Sequence, residues 1–229
     1  MVFKDQTINI IVTNIQQEQS VYWSIYFRRP INFVFEAGDW IDIVFLGHDL
    51  AGGRTFSISS SPTESDIRIS FRAGVSPMKQ TLQSVKVGDV LLITQYGNDY
   101  GFQLKQNQPS VLIAGGVGIA PFRSMMKQLY DTYAMSEVHL IYLNQTDAFL
   151  FRKELNEWSA NLPHVSVSYI VTKGINRKKR EKLILAMINS INQNFYIAGP
   201  PSMVESNEHL LIDMGVTVRN IRIDSFSGY

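Results

Sequence analysis

The sequence predicts two domains of different class: an antiparallel β-barrel over residues 1–106, then an α/β domain with a Rossmann-like parallel sheet over residues 107–229. Three observations carry this. The first half holds short apolar runs of strand length, separated by turns rich in Gly, Pro and Asp. The second half alternates strand-length apolar runs with longer amphipathic segments. Between them lies Lys105-Gln106-Asn107-Gln108-Pro109, which is polar and ends in a helix breaker.

The elements follow in order. Ile8, Ile10 and Val12 recur at the period of one strand face, although Ile11 makes the alternation imperfect. Val21–Phe27, Trp40–Phe45, Thr55–Ser59, Ile67–Phe71 and Val90–Thr94 are further strand candidates. Ala37-Gly38-Asp39, Ala51-Gly52-Gly53, Ser61-Pro62 and Val87-Gly88-Asp89 supply turns. A helix fits Pro77–Ser84, with Ser76 as N-cap and Pro77 in its first position. Beyond the boundary, strands are expected at Val111–Ala114, Val138–Leu143, Val165–Val171, Phe195–Ala198 and Val218–Ile223. Helices are expected near 119–133, 149–158, 179–189 and 201–213, which implies a parallel sheet covered on both faces.

Composition excludes several functions. Hydrophobic residues make up 45% and charged residues 18%, a globular balance that argues against extensive disorder. A net charge of +1 gives no global signal for nucleic acid or membrane binding. With no cysteine, the chain offers no thiol nucleophile, Cys-ligated zinc or Cys-held iron–sulfur cluster, and it suits a cytoplasmic protein. The N-terminal MVFKDQTINI has neither a basic nor an apolar region of the export type, so no targeting signal is expected. His48, His139, His164 and His209 are scattered without metal-ligand spacing, so no metal site is expected. Asp39 and Asp42 read as ordinary carboxylates on opposite strand faces.

Five segments carry candidate chemistry. Arg54-Thr55-Phe56-Ser57 sets an arginine, able to grip a phosphate bidentately, on the same strand face as an aromatic; an ordinary surface strand would look the same. Gly74-Val75-Ser76-Pro77-Met78-Lys79 opens a helix whose amides and lysine suit an anion, and equally suit a capped helix with no ligand. Gly115-Gly116-Val117-Gly118-Ile119-Ala120-Pro121 joins a strand to a helix, where glycines let backbone approach a phosphate. Its G-G-x-G-x-x-P spacing departs from the usual dinucleotide fingerprint, but the strand–helix context favours nucleotide binding over a purely structural turn. Ala198-Gly199-Pro200-Pro201-Ser202-Met203 follows another strand, so in a parallel sheet both turns share one edge; alone, it also reads as a tight turn with Pro starting a helix. The tail Asp224-Ser225-Phe226-Ser227-Gly228-Tyr229 ends on an aromatic that suits stacking, or a mobile end.

Taken in this order, these motifs closely resemble the ferredoxin–NADP reductase superfamily, across nearly the whole chain. The resemblance implies a six-stranded flavin-binding barrel and an α/β domain for a nicotinamide nucleotide. Arg54 would then meet the flavin pyrophosphate, Phe56 would pack on the isoalloxazine, and Ser57 would hydrogen-bond near N5. Residues 74–79 would hold the pyrophosphate, Ser76–Lys79 through their amides. Gly115, Gly116, Gly118 and Pro121 would form the nicotinamide nucleotide's phosphate turn, with Gly199, Pro200 and Met203 beside the nicotinamide. Asp224 would be the acidic group near the active site, and Phe226 or Tyr229 would cover the flavin's far face. Ala198 departs from the cysteine that many members carry there.

The family reading makes the chain a stand-alone FAD enzyme. Hydride would pass from NADPH or NADH to FAD, and electrons onward to a separate acceptor such as ferredoxin or flavodoxin. Thr172 and Lys173, at the end of a strand, match the family's 2′-phosphate contacts and favour NADP(H). Arg177 opens a basic run that adds to them or is simply a solvated helix face. The alternatives are the reductase component of a multi-protein oxygenase and a non-catalytic nucleotide-binding or redox-sensing module. Retention of both Arg54 and Ser57 favours catalysis over the last of these.

Overall fold

The computed structural model describes residues 2–19, 21–45, 55–99, 101–105 and 108–226. Arg54, Tyr229 and the Ala51-Gly52-Gly53 turn lie outside the described residues. The chain forms two compact units. Met1–Gln103 with Ala120–Gln128 make the first, and Leu104–Ile119 with Leu129–Ser227 make the second.

The first unit contains β1 (Val2–Gln17), β2 (Tyr22–Arg28), β3 (Trp40–Phe45), β4 (Thr55–Ser57), β5 (Asp66–Arg72), α1 (Pro77–Ser84) and β6 (Val90–Asn98). These strands form an antiparallel sheet in the order β4-β3-β6-β1-β2-β5. A bridge between Ile58 and Ile69, backed by the Ser59 amide donating to the Arg68 carbonyl at 2.7 Å, joins the two ends. Strand β4 is shorter than the run Thr55–Ser59 predicts, because beyond Ser57 the chain bridges to β5 while the Ile58 amide donates to the Asp39 carbonyl just ahead of β3.

The alternation in β1 holds in burial, with Ile11 an exposed apolar residue on the outer face. The strand pairs with β6 through its first part and with β2 through its second, and its register shifts between Val12 and Asn14. Ile10 and Val12 point into the core while Ile11 is left outside. Ile25, Phe27, Ile41, Ile43, Ile67, Ile69 and Ile93 fill the interior, and Met78 and Leu82 of α1 pack against them. Ser76 caps α1 as its residue type predicts, its hydroxyl accepting from the Lys79 amide.

The second unit contains β7 (Ser110–Gly115), a 3₁₀ turn (Gly116–Gly118), α2 (Ile119–Thr132), β8 (Val138–Asn144), α3 (Arg152–Asn161) and β9 (Val165–Val171). It continues with α4 (Arg177–Leu185), β10 (Asn194–Gly199), α5 (Pro201–Asp213), a second 3₁₀ turn (Val218–Asn220) and β11 (Ile221–Ser225). Residues 120–128 of α2 are the part that groups with the first unit. The sheet is parallel, in the order β11-β10-β7-β8-β9. β7 and β10 are buried along their whole length, as strands covered on both faces must be.

Boundaries differ from expectation elsewhere too, as where β6 runs on to Asn98 and α4 ends at Leu185. Helix α3 starts at Arg152, not near Phe149, because Asn144 ties the Thr146 and Ala148 carbonyls into a turn and Phe151 adopts a left-handed conformation. Helix α4 starts earlier, where Asn176 accepts from the Lys179 amide as N-cap. Residues 218–220 form a turn, so β11 begins at Ile221. No helix among the described residues is long and apolar enough to cross a membrane.

Candidate functional site

The first unit supplies one cluster. β4 pairs with β3 so that Thr55 faces Asp42, Phe56 faces Ile41 and Ser57 faces Trp40. Thr55 is exposed and its hydroxyl donates to the Asp42 carboxylate, which engages Asp42 as a partner for the strand end. Phe56 is half-buried and packs against the barrel core, while Ser57 is buried.

A second cluster forms around the start of α1. Lys79 folds back across Gly74, where a Cβ would sit 2.8 Å from the lysine Cδ. Burial, and then the like charge of Arg72 at the end of β5, push the Lys79 ammonium below the usual lysine value. Two cations held together beside the amide end of a helix form a donor set for a multiply charged anion. Val75 is almost fully exposed, whereas the Met78 side chain belongs to the barrel core. Arg72 was not singled out in the sequence because nothing local marks a strand-end arginine as paired with a lysine seven residues on.

Asp39 proves less ordinary than its sequence context suggests. It precedes β3, is buried, and accepts from the Glu36 amide and from the side chains of Asn98 and Gln103. Burial raises its pKa above the usual carboxylate value despite these donors. It fixes the turn that enters β3.

In the second unit, the chain builds β8 and β9 on one side of β7, then crosses to build β10 and β11 on the other. The strand order therefore reverses between β7 and β10, at whose carboxyl ends α/β sheets bind ligands. Both predicted glycine turns lie there, as the shared-edge expectation requires. They are in direct contact. A Cβ on Gly118 would sit 2.2 Å from the Ala198 carbonyl oxygen, and one on Gly115 would sit 2.4 Å from the Met203 Cε. Gly199 has φ +153° and faces both Gly115 and Met203. Asn207 holds Met203 in place, its amide donating to the Met203 carbonyl and sulfur. These glycines are thus demanded by the chain's own packing, which brings two stretches of bare backbone side by side.

Two further contacts complete the turn region. Gly116 has φ +55°, and its carbonyl accepts at 2.8 Å from the hydroxyl of Tyr142, a fully buried residue of β8. Tyr142 was missed in the sequence, although a buried phenol always raises the question of its partner. Asp224 lies beside Ala198 in the β10–β11 register, and the Phe226 amide donates to the Gly199 carbonyl. The tail is therefore tied to the second turn at least as far as Phe226. Pro121, in the first turn of α2, is buried in the segment that groups with the first unit.

At the end of β9 the candidate coenzyme residues divide. Thr172 is turned inward: its amide and hydroxyl both donate to the Asn144 carbonyl. Lys173 is exposed. Arg177 forms an ion pair with Glu181 at 2.6 Å along α4.

Comparison with known proteins agrees with this architecture. The family model for the oxidoreductase NAD-binding domain matches residues 112–209. The chain is 28% identical over 205 residues to sulfhydrogenase 2 subunit gamma of Pyrococcus furiosus, covering 81% of this chain and 70% of that protein. It is 27% identical over 229 residues to the toluate 1,2-dioxygenase electron transfer component of Pseudomonas putida, covering 94% of this chain and 66% of that one. The chain thus spans about two thirds of the length of these relatives. A ferredoxin NADP+ reductase from Neisseria gonorrhoeae, solved with bound FAD and NADP, superposes with a TM-score of 0.79 at 19% identity, over 97% of this chain and 99% of that one. The flavohem-like FAD/NAD binding domain of nitric oxide dioxygenase from Vibrio cholerae superposes equally well, with a TM-score of 0.79 at 20% identity, over 96% and 98%. The chain therefore carries a match to the oxidoreductase NAD-binding domain over residues 112–209, and its barrel and parallel sheet share the fold of these solved structures.

Proposed function

We propose that the chain is a flavin-dependent NAD(P)H oxidoreductase that binds FAD on its barrel and a nicotinamide nucleotide on its parallel sheet, and delivers electrons to a separate acceptor such as ferredoxin or flavodoxin. The observation that carries this reading is the meeting of two glycine turns at the strand-order switch point, in a chain whose other half is an antiparallel barrel.

The residues present fit both groups. Arg72, Lys79 and the amide end of α1, with Gly74, Val75, Ser76 and Met78 contributing backbone, suit a diphosphate. An anion there also offsets the burial and the like charge of Arg72 that together depress Lys79. Arg54 is assigned to the same phosphates, and Phe56 to the flavin ring, with Phe226 or Tyr229 covering its other face. Gly115, Gly116 and Gly118 offer backbone to the nucleotide's phosphates, while Gly199, Pro200 and Met203 border the nicotinamide.

When bound, FAD would supply the redox chemistry, which is hydride acceptance from reduced nicotinamide and release of electrons singly or in pairs. The chain's residues orient and tune. Ser57 presents a buried hydroxyl to the flavin edge, and Asp224 sets a carboxylate beside the second turn. Thr55 holds the β4 end through Asp42. Lys173 supports NADPH, whereas Arg177 is engaged by Glu181 and adds less than its position in the sequence suggests. The likeness to a dioxygenase electron transfer component also favours a second reading, in which the acceptor is an oxygenase component.

An anaerobic absorbance titration of the FAD-loaded chain with NADPH and NADH tests the proposal. Flavin bands that bleach with nucleotide are expected, faster with NADPH. A chain that stays colourless after incubation with FAD would refute the flavoenzyme and leave a nucleotide-binding module.

A further inference from the structure

A buried charged side chain of the first unit lies outside the five candidate segments. Arg123, in the second turn of α2, is only 2% exposed. A guanidinium so placed must be fully partnered. It donates to the Ser59 carbonyl at 2.7 Å and to both carboxylate oxygens of Glu64, at 2.8 and 3.1 Å. Glu64 in turn accepts from the Ser61 amide at 2.7 Å. The neighbouring Ser124 hydroxyl donates to the Ser60 carbonyl at 2.6 Å.

The segment held in this way leaves β4 directly. From β5, the Arg68 carbonyl accepts from the Ser59 amide and hydroxyl, and the Arg68 amide donates to the Ser60 hydroxyl. The Ser59 hydroxyl also meets that of Ser70. Residues 59–61 are therefore gripped from both sides. Ser57 lies two residues upstream of this grip, separated from it only by Ile58, which is itself bridged to Ile69.

We infer that Arg123, through Glu64 and the Ser59 carbonyl, is a positioning residue that fixes the orientation of Ser57 toward the flavin. The inference rests on the proposed flavin site. Arg123 itself touches no reacting group. Its planar fork satisfies a carboxylate and a carbonyl together, which a lysine cannot do in the same geometry.

The test uses the full chain, with Arg123→Lys, Glu64→Gln, Ser57→Ala and the two double variants that combine Ser57→Ala with each. Amide hydrogen exchange without cofactor is the first readout. Arg123→Lys is expected to speed exchange at residues 57–61 at least tenfold, while the β1–β6 pairing keeps its protection. Anaerobic flavin reduction is the second. Each clamp variant is expected to slow reduction about tenfold, with the nucleotide KM within twofold of the parent. In the Ser57→Ala background, neither clamp variant is expected to slow it further, because the clamp acts through Ser57. If Arg123→Lys does not retain FAD, the Glu64→Gln cycle decides the question. Losses that multiply in the double variants, or exchange raised uniformly across the barrel, would overturn the inference. Parent protein that binds no FAD would overturn the proposed function, and this inference with it.

Discussion

Gly118 and Gly88 show how differently one residue type is used. Gly88 sits in an open turn with φ +96°, and nothing lies within 4 Å of where its Cβ would be. Gly118 has an ordinary helical φ, yet its missing Cβ makes room for the Ala198 carbonyl. Gly88→Ala should therefore cost only left-handed strain, about 1 kcal/mol. Gly118→Ala drives carbon into backbone of the adjacent strand end and should cost more, about 2–3 kcal/mol. Urea unfolding of the two variants compares them directly. Equal losses would show that the turns separate easily and that their contact does not constrain the site. At this scale the sequence was informative wherever the constraint was local. The glycine turns and the Ser76 cap were legible because spacing defines them. Arg123 was not, because its partners Glu64 and Ser59 lie 59 and 64 residues away. Tyr142, which bonds the Gly116 carbonyl across 26 residues, was hidden for the same reason.

Elements were legible in kind, and their ends less so. Apolar runs and periodicity located all eleven strands and five helices of the described residues, but the ends of α3, α4 and β11 depend on side-chain caps and one left-handed residue. The β8–β9 pair carries a pH dependence of its own. His139 on β8 is half-buried and shares a hydrogen bond of 2.9 Å with Ser168 on β9. Burial lowers its pKa from the ordinary 6.5, against a backbone hydrogen bond involving Met187. The folded state thus binds a proton less readily than the unfolded chain. Its contribution to stability is full above pH 6.5 and is lost as pH falls through the lowered folded value. Melting temperature should decline below that pH, and His139→Gln should make the decline shallower. An unchanged slope in the variant would assign the acid sensitivity to other groups.

At the scale of the whole molecule, the sequence places a break in the polar stretch around residue 106, while the first compact unit takes in residues 120–128 as well. This difference has energetic content. Phe122 lies 5.6 Å from Phe102, centroid to centroid, and Met125 approaches Gly38 beside the Phe102 carbonyl. Arg123 and Ser124 satisfy the Ser59 and Ser60 carbonyls, and Arg123 pairs with Glu64. A fragment of residues 1–106 keeps every barrel strand yet leaves Glu64 without its guanidinium and exposes apolar surface around Phe102. Glu64, 26% exposed even in the intact chain, and the Ser59 and Ser60 carbonyls would then turn to water, so the loss comes from the apolar contacts around Phe102 and the released grip on residues 59–61, set against the small net stability of a domain. The 1–106 fragment is therefore expected to give a low or absent thermal transition and weak near-ultraviolet circular dichroism. A 1–130 fragment, which restores the α2 segment, is expected to recover both. If the shorter fragment melts as cooperatively and as high as the longer one, the barrel is complete without α2, and the grouping of residues 120–128 with it carries no stability. If only the longer fragment folds, then the helix leaving the glycine turn is a structural part of the barrel, and any cut meant to separate the two halves must fall after it.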